Sequence, residues 1–160
     1  MKPLLAAAIV VASLGTAGAG EMFSGTHTYR AESETWMPVP ASGWRTVTMV
    51  GEYEPMTGPI GAGRIECRGT NYWHKSTVEA DGVCVFGEGP DTWMLRYRMT
   101  RTDRATMRAE QHQREGEWIV VDGTGRFSGM TGSGTYLAEG AVADSHKYRT
   151  RWEGEVTIPE

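Results

Sequence analysis

The sequence predicts an all-β protein, a single antiparallel β-barrel of about eight strands, preceded by a segment that is cleaved on export. Three observations carry this expectation. Period-two alternation of apolar and polar residues recurs along the chain, while helix periodicity is nearly absent. Glycines and prolines, 21 and seven of them, fall between the alternating runs as punctuation and do not gather into a linker. The first residues have the build of a secretory signal.

The export segment comes first. A positive start at Lys2 is followed by an apolar stretch over residues 3–15 and then by small residues from Thr16 to Gly20. Ala17 and Ala19 place small side chains where a signal peptidase admits only small ones, so cleavage is expected after Ala19. A membrane-spanning helix needs roughly 20 apolar residues, and this run stops short of that. No cysteine stands at the cleavage site, which argues against a lipid anchor. The expected organisation is therefore a signal peptide over 1–19 and one barrel domain over 20–160, with a periplasmic or secreted location and no membrane span in the mature chain.

Composition narrows the partners. The full chain carries a formal charge of -4, and removal of Lys2 with the signal takes it to -5. Such a protein has no electrostatic reason to bind nucleic acid. Its basic residues, among them Arg96, Arg98, Arg149 and Arg151, alternate with apolar ones and read as a solvated face. The two cysteines, Cys67 and Cys84, form an even pair that in an oxidising compartment most simply closes a disulfide. A metal thiolate pair or a catalytic cysteine is the alternative, but there is no CxxC and no neighbouring histidine.

The strands follow in order. Within residues 44–53, Val47, Met49 and Tyr53 share a face. Residues 92–100 set Trp93, Leu95, Tyr97 and Met99 against Thr92, Met94, Arg96, Arg98 and Thr100. Residues 118–121 are β-branched in character, and residues 146–158 carry Tyr148, Trp152, Val156 and Ile158 on one side. Alternation of this quality marks half-buried antiparallel strands. Turn chemistry is read at Asp81-Gly82, at residues 87–90, at Glu115-Gly116 and at Gly140. Residues 102–113 fit a strand pair or a single helical turn equally well. Closure into a barrel is preferred to a sandwich because it removes exposed sheet edges.

The segment GTGRFSGMTGSGTY, residues 123–136, invites a phosphate-cradle reading. Its glycine spacing is GxGxxxG and not GxGxxG, and a strand rather than a helix is expected to follow. Tight turns around a core-anchored Phe127 are the better account. This motif, with the cysteine segments ECRGT and DGVCVF before it and YRTRWEGEVTIP after it, resembles a group of exported bacterial proteins of uncharacterised activity. These are similar in pattern to the allene oxide cyclase and dirigent barrels, which are calycin-like and eight-stranded. The resemblance covers about residues 64–158. It implies a barrel with room for an apolar or phenolic small molecule in its mouth, and it places no catalytic residue on this chain.

Candidate site residues are few. Trp93, Tyr97, Tyr148 and Trp152 lie on the apolar faces of the two clearest strands and would wall a cavity, or else be ordinary core. The histidines, His27, His74, His112 and His146, are scattered without an HxH or HExxH pattern, so no metal site is assigned and each is expected at the surface or the edge of the core. The methionines are dispersed and read as pliable core. Glu52, Glu54 and Glu66 would act as general acids only if they pointed into the barrel. No cofactor is expected, since exported compartments lack the usual nucleotide cofactors. The leading expectation is an exported barrel that binds an apolar or aromatic small molecule. The alternatives are a structural or interaction protein of the envelope and an isomerase or cyclase.

Overall fold

The computed structural model describes residues 20–99, 102–103, 114–142 and 146–159. The expected signal segment, and most of the ambiguous stretch 102–113 with His112, lie outside them. The elements are β1 (Glu21–Val39), β2 (Ser42–Thr57), β3 (Gly63–His74), β4 (Thr77–Glu88), β5 (Asp91–Met99), β6 (Thr102–Asp103), β7 (Arg114–Gly123), β8 (Thr131–Ala141) and β9 (Tyr148–Thr157). Each long strand pairs antiparallel with its predecessor in the barrel, and β9 returns to β1. Eight strands thus close in the order β1-β2-β3-β4-β5-β7-β8-β9, while β6 only extends β4 at Thr77 and Val78.

The alternation read from the sequence is the inside–outside alternation of this barrel. Trp93, Leu95, Tyr97 and Met99 of β5 are all buried, and Arg96 and Arg98 are exposed. At one end the interior is filled by aromatic rings. Phe86 stacks on Trp93 with centroids 4.1 Å apart, and Phe23 meets Trp118 edge-on at 5.7 Å. Geometries of this kind add to the stabilisation from buried area. A 3-10 turn over Gly125–Phe127 closes this end and drives Phe127 into the core. The turn is tied down by Thr124 Oγ1 donating to Pro90 O at 2.7 Å and by the Arg126 N–H donating to Asp91 Oδ1 at 3.0 Å. Gly125 and Gly129 supply the positive φ values, 56° and 77°, that the tight path requires. The glycine motif is therefore a plug for the barrel.

Two of the turn signals prove to be something else. Gly82 lies within β4 and Gly116 within β7, both facing inward. A Cβ at Gly82 would stand 2.5 Å from Tyr97 Oη, and one at Gly116 would stand 2.4 Å from Tyr136 Cε1. These glycines make room for rings inside the barrel, and the chain does not turn there. By contrast, Gly87 and Gly89, with φ of 88° and 69°, do turn the chain between β4 and β5.

β1 and β2 outrun the barrel. β9 pairs with β1 only as far as Tyr29 opposite Tyr148, yet β1 continues to Val39 against β2 alone. The extension carries Trp36 opposite Trp44, and Trp44 opposite Tyr72 of β3, all three exposed on the outer face.

Candidate functional site: the open end of the barrel

Opposite the plug, the barrel is hollow. A cavity of about 410 Å3 opens there, within the size range of small-molecule sites. Its floor is the upper surface of the aromatic core: Cys67, Cys84, Tyr97, Tyr136 and Trp152 belong both to the packed cluster and to the cavity wall. Cys67 and Cys84 face each other across β3 and β4 and are joined as a disulfide, the pairing expected from the sequence. Higher up, the wall thins to Ala31, Ser33, Ala80, Ala138 and Ala141. The β8 bulge between Ala138 and Gly140, with Gly140 at φ 89°, shapes the same wall. A larger groove, about 510 Å3, lies on the outer wall among charged side chains such as Asp81, Arg96 and Glu117. It lacks the convergent buried groups of the interior.

The polar groups of the cavity are buried and poorly satisfied. His27, on the inward face of β1, is 1% exposed, and its ring lies 4.5 Å from that of Tyr29. Tyr29 in turn stacks on Tyr148 at 5.8 Å and accepts a long hydrogen bond, 3.5 Å, from Thr150 Oγ1. Tyr97 and Tyr136 meet edge-on at 5.7 Å, and Tyr136 leans on Trp152 at 5.3 Å. His27 Nε2 and Trp152 Nε1 are buried and have no hydrogen-bond partner among the described residues. An orphaned buried polar atom costs about 1–3 kcal/mol, so two in one cavity call for a reason.

Burial sets the charge state of these groups. Desolvation lowers the His27 pKa to about 3, and the ring is neutral at physiological pH. Burial raises the pKa values of Tyr29, Tyr97 and Tyr136, which keeps the phenols protonated. Arg114 enters from the start of β7. Desolvation pulls its pKa down; nearby Arg45 acts in the same direction, whereas Tyr29, Tyr136 and Tyr97 oppose it. Arg45 sits at the rim, where its Nε donates to Thr35 Oγ1 at 3.1 Å and its guanidinium lies 6.0 Å from the Trp73 ring. Among the described residues no three potential metal ligands converge.

Of the four candidates named from the sequence, Tyr97, Tyr148 and Trp152 line this cavity, whereas Trp93 stands in the filled end between Phe86 and Phe23. His27 corrects the expectation for the histidines, being among the most buried side chains of the chain. Its signal was present in the alternation of His27, Tyr29, Ala31 and Ser33, but polar residues on both faces of β1 conceal the inward set. Tyr136, Thr150, Arg45 and Arg114 were also missed, the last because it stands in a run of polar residues, QHQREGE. Glu52 and Glu54 are exposed, and Glu66 pairs outside the barrel with Arg68 at 2.9 Å and Arg64 at 3.3 Å.

No protein-family model matches the sequence, and no curated protein matches it. Among solved structures, the chain is similar to the pterocarpan synthase dirigent protein GePTS1, over 97% of this chain and 98% of that chain, at 13% identity and a TM-score of 0.46. The closed barrel described above stands on the strand pairing of this chain alone.

Proposed function

We propose that the protein binds an apolar or aromatic small molecule in the open end of its barrel, as an exported protein of the periplasm or the medium. The observation that carries this reading is the pair of orphaned polar atoms, His27 Nε2 and Trp152 Nε1, among the apolar and aromatic walls of a 410 Å3 cavity. A bound molecule with one hydroxyl or carbonyl group supplies the missing partner and covers the exposed rings. The export reading is supported by the signal-like residues 1–19 and by a disulfide, and N-terminal sequencing of the protein after secretion tests it. Among the described residues, no helix is long and apolar enough to cross a membrane.

Binding is favoured over catalysis by the protonation states. A neutral histidine whose conjugate acid has a pKa of about 3 is a weak base, and buried phenols with raised pKa values are weak acids. Such groups hydrogen-bond a ligand well and move protons poorly. Titration with a panel of hydrophobic fluorophores and fatty acids, read by tryptophan quenching, tests the proposal. Ala31→Trp, at the mouth, should abolish any binding observed; a panel without a single binder refutes the reading.

A second reading, an interaction surface, is favoured by the outward row of Trp36 and Trp44 on the β1–β2 extension and Tyr72 beside them on β3, with Trp36 65% exposed. Light scattering on the wild type and on a Trp36→Ser/Trp44→Ser double variant separates it from the cavity reading.

A further inference from the structure

We infer that the ligand of this cavity is an anion: a molecule with an apolar or aromatic body and a carboxylate-type head, held with the head at Arg114 and Arg45 and the body directed toward Trp152, His27 and the disulfide. The inference rests on the reading of the cavity as a small-molecule site and adds the charge and orientation of what enters.

The cavity wall contains two guanidiniums and, among the described residues, no aspartate or glutamate. This is not a reflection of the whole chain, which is acidic at -4. Among the described residues, the carboxylates paired with arginines stand elsewhere. Glu66 holds Arg64 and Arg68, Glu139 holds Arg149 and Arg151, and Asp81 holds Arg96, all on the outer face. Arg114 has no such partner among the described residues. Its surroundings are a second guanidinium and three neutral phenols. A half-buried charge with no counter-charge among the described residues is costly, and two like charges facing one space add to that cost. An anion removes both penalties at once. Arg45 is equally prepared: of the five N–H donors of a guanidinium, one is given to Thr35, and the rest are available to a planar, two-oxygen acceptor.

The deeper end fixes the other half of the molecule. His27 lies opposite Thr150 in the β1–β9 register, and Trp152 is two residues further along β9 on the same inward face. Residues on such a diagonal stand about 7–8 Å apart, close enough for long and aromatic side chains to share one neighbourhood, and both line the cavity. From His27 to Ser33 the lining of β1 runs six residues, about 20 Å at the strand rise. That length separates the His27 anchor from the rim, where Arg45 stands opposite Thr35, while Arg114 enters from the side through the Ala138–Thr150 register, a layout that suits an amphipathic acid.

The test uses three molecules sharing one ring system, titrated calorimetrically into the full chain: 1-naphthaleneacetate, 2-(1-naphthyl)ethanol and 2-(1-naphthyl)ethylamine. The acid should bind at least about tenfold more tightly than the alcohol, and the amine most weakly, by the usual worth of a charge-assisted contact. Arg114→Gln should bring the acid down to the alcohol and leave the alcohol unchanged, while Arg114→Lys keeps part of the preference. Arg45→Gln, at the solvated rim, gives the same direction of change in a variant whose core is untouched. If acid and alcohol bind equally, the charge inference is overturned and the cavity reading stands. If the preference survives both Gln variants, the head-group assignment is overturned. If none of the three binds while the fluorophore and fatty-acid panel gives a binder, the inference of an aromatic anion is overturned and the cavity reading stands; if the panel fails as well, the cavity reading fails with it.

Discussion

His27 makes the stability of this protein depend on pH in a defined window. Unfolded, its imidazole titrates near 6.5; folded, burial holds it at about 3. Between these values the unfolded chain binds a proton that the folded chain refuses, so stability rises with pH across the window and is lost as pH falls through it. From pH 7 to pH 5 the loss comes to about 2 kcal/mol, and any folded pKa below about 4 gives the same figure. With a urea m-value of roughly 1–3 kcal/mol/M, the unfolding midpoint should fall by about 1 M. The assay is urea unfolding at pH 7, 6 and 5 for the wild type and for His27→Gln, read by tryptophan fluorescence. The variant starts from a different stability, but it should lack the His27 part of the slope. Contributions from groups other than His27 are common to both proteins and cancel in the difference. Glu66, which the Arg68 and Arg64 contacts hold below its ordinary value of 4.5, loses its contribution only at lower pH. Slopes that agree within about 0.5 kcal/mol between pH 7 and 5 would refute the burial argument for His27.

Three further outcomes follow from the packing. Gly134→Ala puts a Cβ 2.0 Å from Glu153 O and 2.7 Å from the Trp118 ring, where Trp118 Nε1 donates to Thr135 O and Glu153 O at 3.0 and 3.1 Å. Thermal or urea unfolding should show a loss of at least about 2 kcal/mol, and a neutral result would show that the strands shift easily. Reducing the Cys67–Cys84 bond, which spans 17 residues, should lower stability by about 3 kcal/mol in paired urea melts with and without dithiothreitol; equal midpoints would contradict this. Trp152→Phe removes an unpartnered N–H and keeps most of the buried ring, so it should change stability by less than about 1 kcal/mol, against about 3–5 for Trp152→Ala. Equal losses in the two variants would mean that the indole nitrogen is satisfied in solution.

The fold was largely legible in the sequence because each strand has one face in the core and one in solvent. The period-two signal of Trp93, Leu95, Tyr97 and Met99 reports that difference directly. The glycines were read less well, since a residue that permits a turn also permits a ring to lie flat against a strand, and only the partner distinguishes them: Tyr97 over Gly82, Asp91 after Gly87. The site was legible only where it is apolar. Tyr97, Tyr148 and Trp152 stand out on alternating strands, but His27 belongs to a type found both inside and outside, and Arg114 to one that is mostly exposed. Their burial depends on strands far away in the chain. His27 lies opposite Thr150, and Arg114 feels the electrostatic influence of Tyr29 and Arg45, neighbourhoods that exist only once β9 closes on β1.

The hollow end is a property of side-chain volume. An eight-stranded barrel is just wide enough for its own side chains to fill, and toward the plugged end they pack it: Phe23, Tyr53, Phe86, Trp93 and Trp118 are buried in one cluster. Along the same strands toward the mouth, β1 passes from Phe23 through His27 and Tyr29 to Ala31 and Ser33, and β4 from Phe86 through Cys84 to Ala80. Large residues in the upper positions would have closed the barrel and added apolar burial, about 0.8 kcal/mol for each methylene. Small residues there leave the space open, and the groups at its floor and rim are those that cost stability when nothing meets them: a buried imidazole, an indole N–H and a desolvated guanidinium. Space and unmet polarity coincide at one end of the barrel, whereas the other end has a smaller cleft of about 240 Å3 and, among the described residues, no orphaned buried side-chain atom. A packing defect would explain the first and not the second, whereas a binding site explains both.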